Sequence, residues 1–483
     1  MTEPNQVLPV PPADLPSTLG ELRATGHRYR TVKSELRDNL LARMRSGEDR
    51  FPGIVGYDDT VLPEVERALL AGHDMVLLGE RGQGKTRLIR SLVALLDEWT
   101  PVLSGSALNE HPMHPLTPAS RALVAEAGDD LTIGWLHRSM RYGEKLATPD
   151  TSVGDLIGDV DPIRLAQGRS LGDPETIHFG LVPRTNRGIF AVNELPDLAE
   201  RIQVALLNVL EERDIQVRGY QLRLPLDLFL VASANPEDYT NRGRIITPLK
   251  DRFGAEVRTH YPVDLELELA LIRQEADLVA EVPEHVLEVL ARFARDVRES
   301  PSVDPRSGVS ARFAIAAAET VAAAALRRAG LLAAGTPEGV RGEAPVARVG
   351  DAVSVTSTLR GKVEFESGEE GREIEILAHL LRTATAETFR ARLAGLDLSG
   401  FTALVAEDGV IETGELVSSA ELLRQVGTVP GLAKALDRLG LGDAPTPEQA
   451  AAGVEFVLEG LHLTRRLGKD VTETGRTVYG GRG

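Results

Sequence analysis

One eight-residue stretch limits this chain more than any other: Gly79-Glu-Arg-Gly-Gln-Gly-Lys85-Thr86. It follows directly on the apolar run Asp74-Met-Val-Leu-Leu78, and Leu88, Ile89, Leu92 and Leu96 then recur at helical spacing as far as Trp99. Strand, GxxxxGKT and helix in that order make a Walker A phosphate loop. Glycines let the backbone fold back and turn its N–H groups inward, and the helix start adds a positive dipole end at the same spot. Lys85 is expected to contact the β- and γ-phosphates of ATP, and Thr86 to ligate Mg²⁺.

Composition narrows the class further. With 483 residues the chain can hold two or three domains with sizeable cores. Hydrophobic residues make up 42% and charged residues 26%, the balance of a soluble globular protein. No apolar run reaches the roughly 18 residues of a membrane helix, and the N-terminus lacks a signal-peptide layout. Cysteine is absent, which excludes disulfides and thiolate metal sites. The expectation is a cytoplasmic protein without membrane insertion. The net charge of -18 disfavours a nucleic-acid partner, because proteins that grip phosphate backbones present a basic face.

Five segments emerge along the chain. Residues 1–16, rich in proline and polar groups, read as a disordered tail, and 17–50 as an N-terminal helical segment. From 51 to 261 strand-like runs alternate with amphipathic helices, the pattern of a parallel sheet between helical layers. Residues 262–345 read as helical, with an alanine-rich helix from Ala311 to Ala329 stopped by Gly330 and a Gly/Pro-containing linker after it. Residues 346–483 read as a mostly helical extension with a possible hairpin from Val353 to Glu366.

A second apolar strand, Gly188-Ile-Phe-Ala-Val-Asn193-Glu194, ends in a polar pair. Phosphoryl transfer needs an acid near Mg²⁺ and another to orient the attacking water. Glu194 suits the second role. Asn193 stands where most Walker B motifs carry aspartate. It can accept from a metal-bound water but brings no charge, so slow hydrolysis is one expectation. Asn193-Glu194 could instead simply cap the helix that follows.

These motifs, with the sequence around them, resemble the magnesium chelatase ATPase subunit and the related MoxR-type AAA+ ATPases. Phe51-Pro-Gly-Ile-Val-Gly56 is similar to the segment that crosses the adenine pocket in that group. Thr151 to Asp161, followed by His178 to Gly188, is similar to the chelatase insertion in helix 2. Asp214 to Leu224, with Gly219 at its turn, resembles the pre-sensor-1 hairpin. Asp227 to Asn235-Pro236 resembles the sensor-1 strand, and Pro248-Leu-Lys-Asp-Arg252-Phe253 the segment that ends in an arginine finger. Ser310-Ala-Arg312 resembles sensor 2, although Arg306 is also near.

The resemblance implies a P-loop AAA+ core, a five-stranded parallel sheet flanked by helices, with a helical lid. It implies contacts to ATP from Ile54, Val55, Gly79, Glu80, Arg81, Gly82, Gln83, Gly84, Lys85, Thr86 and Arg87. Thr86 and Asn193 would hold Mg²⁺, and Glu194, Asn235, Arg252 and Arg312 would serve hydrolysis. It further implies a homo-oligomeric, hexameric ring and a partner with a von Willebrand factor A domain. A remodelling motor and a slow or non-hydrolysing switch both fit. An enhancer-binding activator does not, because its GAFTGA loop is missing. His111 and His114 are three residues apart and lack further metal ligands, so Asn109 to His114 reads as a polar loop.

Overall fold

Five runs form the central sheet: Met75–Leu78 (β1), Tyr142–Leu146 (β2), Gly188–Asn193 (β3), Leu228–Ala234 (β4) and Ala255–Arg258 (β5). β1 and β3 are buried at every position, and β4 at all but its first, as strands covered on both faces must be. The strand order is β5-β1-β4-β3-β2, and every pair is parallel. This order makes β4 the neighbour of both β1 and β3. The carboxyl ends of all three therefore open along one edge, where α/β sheets bind ligands.

The computed structural model describes residues 9–161, 176–211, 214–217, 220–236, 244–304, 308–333, 342–406, 409–472 and 476–480. They divide into two units, 1–260 and 261–483. In the first, side chains alternate across the sheet. Met75 and Leu77 join one core with Ile189 and Phe229, and Val76 and Leu78 join another with Phe190 and Val192. Helices Val32–Ser46 (α1), Val61–Ala71 (α2) and Lys85–Ser91 (α3) supply residues to the first core, and Glu200–Glu211 (α4) and Thr247–Arg252 (α5) to the second. α1 is also held by a buried two-pronged pair, Arg141 to Glu35, with both N–O distances 2.7 Å. The helix after the phosphate loop is shorter than its apolar spacing predicts. It tightens to a 3₁₀ turn at Leu92–Leu95, and Trp99 begins the strand Trp99–Leu103.

Two antiparallel pairs lie outside the central sheet in the stretches assigned to the insertion and the hairpin. Gly158–Val160 pairs with Ile177–Phe179, and Asp214–Val217 with Tyr220–Arg223. Gly219, Arg306 and residues 162–175 fall outside the described residues.

The second unit is mainly helical. Leu265–Glu275 (α6), Glu284–Glu299 (α7), Arg312–Ala333 (α8), Glu373–Leu393 (α9) and Pro447–Leu463 (α10) share one core. Ala314, Ala317, Ala318, Ala322 and Ala325 of α8 are all buried there, so its alanines form a packing face. A small antiparallel sheet joins Ile411–Thr413, Thr477–Tyr479 and Lys469–Val471. Two expectations are corrected. Gly330 does not end α8, which runs on to Ala333; a glycine inside a helix costs about 1 kcal/mol and is tolerated. Residues 353–366 form no hairpin: Val355, Leu359 and Val363 are buried four apart, a helical spacing, in short helical turns.

Candidate nucleotide site

The phosphate loop begins as an extension of the ladder. The Gly79 N–H donates to the Ala234 carbonyl at 3.2 Å, one step beyond the pair Leu78–Ala234. A Cβ at 79 would lie 1.9 Å from Thr259 Oγ1 and 2.2 Å from Gln83 Oε1, so a side chain there would displace both. Gly82 and Gly84 then take φ of 75° and 78°, a left-handed conformation open to glycine. Gly84 is the N-cap of α3, so Lys85 and Thr86 occupy its first turn.

Side chains hold this loop in shape, among them Tyr57 and Thr259, which the sequence did not single out. Gln83 Oε1 accepts from the Glu80 N–H at 3.0 Å and from the Thr259 hydroxyl at 2.8 Å. The Tyr57 hydroxyl reaches the carbonyls of Gln83 and His260. Burial pushes the Tyr57 pKa up to about 12, so it stays a neutral donor. Lys85 is buried, and its ammonium donates to the carbonyls of Gly79 and Glu80. Arg87 donates to the Gly53 carbonyl at 2.8 Å and ties in the segment that carries Ile54 and Val55, both half-buried. Glu80 and Thr86 are also half-buried, whereas Arg81 and Arg87 are exposed.

The ends of β3 and β4 meet beside this loop. Ala232 pairs with Val192, which sets Ser233 next to Asn193. The Ser233 hydroxyl donates to Asn193 Oδ1 at 3.2 Å and accepts from the Glu194 N–H at 3.3 Å. Glu194 has φ 54° and ψ 47°, which is uncommon for a residue with a side chain. Asn235 follows β4 directly and is buried. One further carboxylate stands here, Glu144 on β2. It accepts from Asn193 Nδ2 at 2.6 Å, from the Tyr142 hydroxyl at 3.0 Å, and from Arg90 Nε and Nη2 at 2.9 and 3.0 Å. Burial works to raise the Glu144 pKa, but the donors, Arg90 foremost, hold it below the ordinary carboxylate value.

Arg252 is exposed in the last turn of α5. Arg312 is exposed at the start of α8, in the second unit, and its N–H bonds to Ser310 Oγ at 3.1 Å. Asn109 to His114 is a loop that packs by its rings. His111 is buried and stacks on His27 with ring centroids 5.3 Å apart, while Tyr29 stacks on His114. Among the described residues no group of three or more histidine, cysteine or acidic residues could hold a metal ion, and no helix is long and apolar enough to cross a membrane.

The chain fits a magnesium-bound nucleoside triphosphate on its own features: an inward ammonium, left-handed glycines at a helix start, a hydroxyl in the first turn and a polar cluster on adjacent strand ends. A parallel sheet in the order β5-β1-β4-β3-β2, with this loop after β1 and a mostly helical second unit, is the fold of the AAA+ ATPases. Within that class the chain resembles the magnesium chelatase ATPase subunit.

The magnesium-chelatase 38 kDa subunit of Rhodobacter capsulatus is 29% identical over 362 residues, covering 74% of this chain and 91% of that protein. The chloroplastic magnesium-chelatase subunit ChlI-2 of Arabidopsis thaliana is 28% identical over 232 residues, covering 47% of this chain and 52% of that protein. The chain thus spans nine tenths of the first relative and about half of the second. A structure of the complex between subunits BchI and BchD of magnesium chelatase aligns with 68% of this chain and 98% of that one, at 23% identity and a TM-score of 0.35, too low to add to the argument. No family model matches the chain.

Proposed function

We propose that this chain binds ATP with Mg²⁺ at the loop Gly79 to Thr86, hydrolyses it, and uses the cycle to remodel a partner protein. The supporting observation is the shared edge. The loop leaves β1 where Asn193, Glu194, Ser233 and Asn235 end the neighbouring strands. Loop N–H groups, Lys85 and the α3 dipole would bind the phosphates, with Ile54 and Val55 beside the base. Thr86 and Asn193 would hold Mg²⁺, directly or through its waters, and that ion would neutralise phosphate charge as it develops. Glu194 would take the proton of the attacking water, and Asn235 would orient that water. Exposed Arg252 suits a donor to a neighbouring subunit's site, and Arg312 a donor from the helical lid.

Assembly into a hexameric ring, a von Willebrand factor A domain partner and a cytoplasmic location are part of the same proposal. The ring and the partner rest on the resemblance to the chelatase subunit, and the location on the absence of cysteine and of a signal-peptide layout. Phosphate release tests the catalytic part. Wild type should release phosphate well above both Lys85→Ala and Glu194→Gln, while Glu194→Gln still binds ATP. A wild type indistinguishable from Lys85→Ala would favour the second reading, a non-hydrolysing switch, for which Asn193 is the motivating observation.

A further inference from the structure

The aspartate missing at position 193 has a counterpart one strand away. Glu144 pairs across the sheet with Ala191, two residues before Asn193, and so lies on the same face of the sheet as Asn193. A carboxylate can only accept hydrogen bonds, so the Asn193 amide must turn its nitrogen to Glu144. Its oxygen is thereby committed to the other side, where Ser233 donates to it and also receives the Glu194 N–H. The Glu144 carboxylate is anchored in turn. Arg90 grips both of its oxygens, and Tyr142 adds a third donor. Arg90 lies four residues after Thr86 on α3, on the same helical face. One continuous set of contacts thus joins the phosphate-loop helix to the Walker B strand end.

We propose that Glu144 is the positioning carboxylate of this site, and that Glu144 and Asn193 are a matched pair in which the negative charge has moved from β3 to β2. Glu144 fixes which atom of Asn193 faces Ser233 and Glu194, and it would supply, within its ion pair with Arg90, the carboxylate that Asn193 lacks. Aspartate at 193 would set two carboxylates against each other at the distance now spanned by a hydrogen bond, so the amide is the residue that Glu144 requires. This rests on the nucleotide-binding reading and adds a residue that the motifs do not contain.

The test is a charge exchange with four proteins: wild type, Glu144→Gln, Asn193→Asp and the double variant. Two quantities are read. One is the melting temperature without nucleotide. The other is the Mg²⁺ concentration that half-saturates the Mg²⁺-dependent gain in binding of a fluorescent ATP analogue, alongside analogue affinity in EDTA. Asn193→Asp should melt lower than wild type. Both single variants should need about tenfold more Mg²⁺, with EDTA affinity within about twofold of wild type. The double variant, with amide and carboxylate exchanged, should regain both values to within about threefold in Mg²⁺.

A purely structural role would move EDTA and Mg²⁺ affinities together, and that result would overturn the proposal. So would Asn193→Asp matching or exceeding wild type in both readouts, or a double variant worse than either single. If wild type binds no analogue with or without Mg²⁺, the nucleotide reading itself fails and this inference with it. That result cannot be confused with the others.

Discussion

The nucleotide site of the first unit and the ionic cluster of the second use charge in opposite ways. In the first, polar groups gather at strand ends beside a loop: Lys85 turns into the loop, and Asn193, Ser233 and Glu144 line the edge next to it. In the second, charges are sealed in. Arg328 and Arg348, with side chains 3% and 2% exposed, meet Glu343, Asp351 and Glu455 at 2.8 to 3.8 Å. The second arrangement joins α8 and α10 to the segment between them. A site built to meet a charged ligand gathers its polar groups beside one loop, whereas a buried ionic cluster ties them into the core.

The largest expected effect tests the sealed cluster. Arg348→Ala leaves Glu455 without its cation and Glu343 with Arg328 alone, and should destabilise the second unit by about 3–5 kcal/mol, read as a lower denaturant midpoint. A shift below about 1 kcal/mol would show that water reaches the cluster and that the contrast is overdrawn. Gly79→Ala tests the open site. Its new methyl would drive into Thr259 and Gln83, costing about 1–3 kcal/mol. It should also weaken ATP binding, because the same Gln83 closes the loop. Loss of stability with unchanged ATP affinity would separate the loop from the ligand.

The smallest effect is a pH dependence in the second unit. Burial first, then Glu387 and Glu299, pushes the Asp296 pKa from 3.8 up to about 6. A raised carboxyl pKa favours the folded state while the group is protonated. Its contribution is full below about 4 and is lost as pH rises through about 6. Asp296→Asn should therefore raise the melting temperature slightly at pH 7.5, change it little at pH 4, and flatten the profile between. The group is half-exposed, which keeps the effect small. An unchanged profile would remove Asp296 from the account.

The same contrast explains what could be read from sequence. The phosphate loop is legible because backbone does most of its work: eight consecutive residues carry the glycines, the ammonium and the hydroxyl. Strand ends at Asn193 and Asn235 are legible from the apolar runs before them. Glu144 is not, because its meaning arises only when β2 pairs with β3 and α3 brings Arg90 alongside, residues 54 positions apart in the chain. Tyr57 and Thr259 escape notice for the same reason: they act on the loop from distant segments. The sealed cluster draws on residues from Arg328 to Glu455, and no local period marks it. At 353–366 the short run was too ambiguous for periodicity to separate hairpin from helical turns.

The central claim is that the turn from Gly79 to Thr86 receives a nucleoside triphosphate and that Lys85 is its principal cation. Calorimetric titration of ATP with Mg²⁺ into wild type and Lys85→Ala at matched concentration measures this directly. Saturable binding by wild type and about 30- to 150-fold weaker binding by a Lys85→Ala protein of unchanged melting temperature is the expected result, since a charged contact of this kind is worth about 2–3 kcal/mol. No heat with wild type at millimolar ATP, or equal affinity for the two proteins, would contradict it.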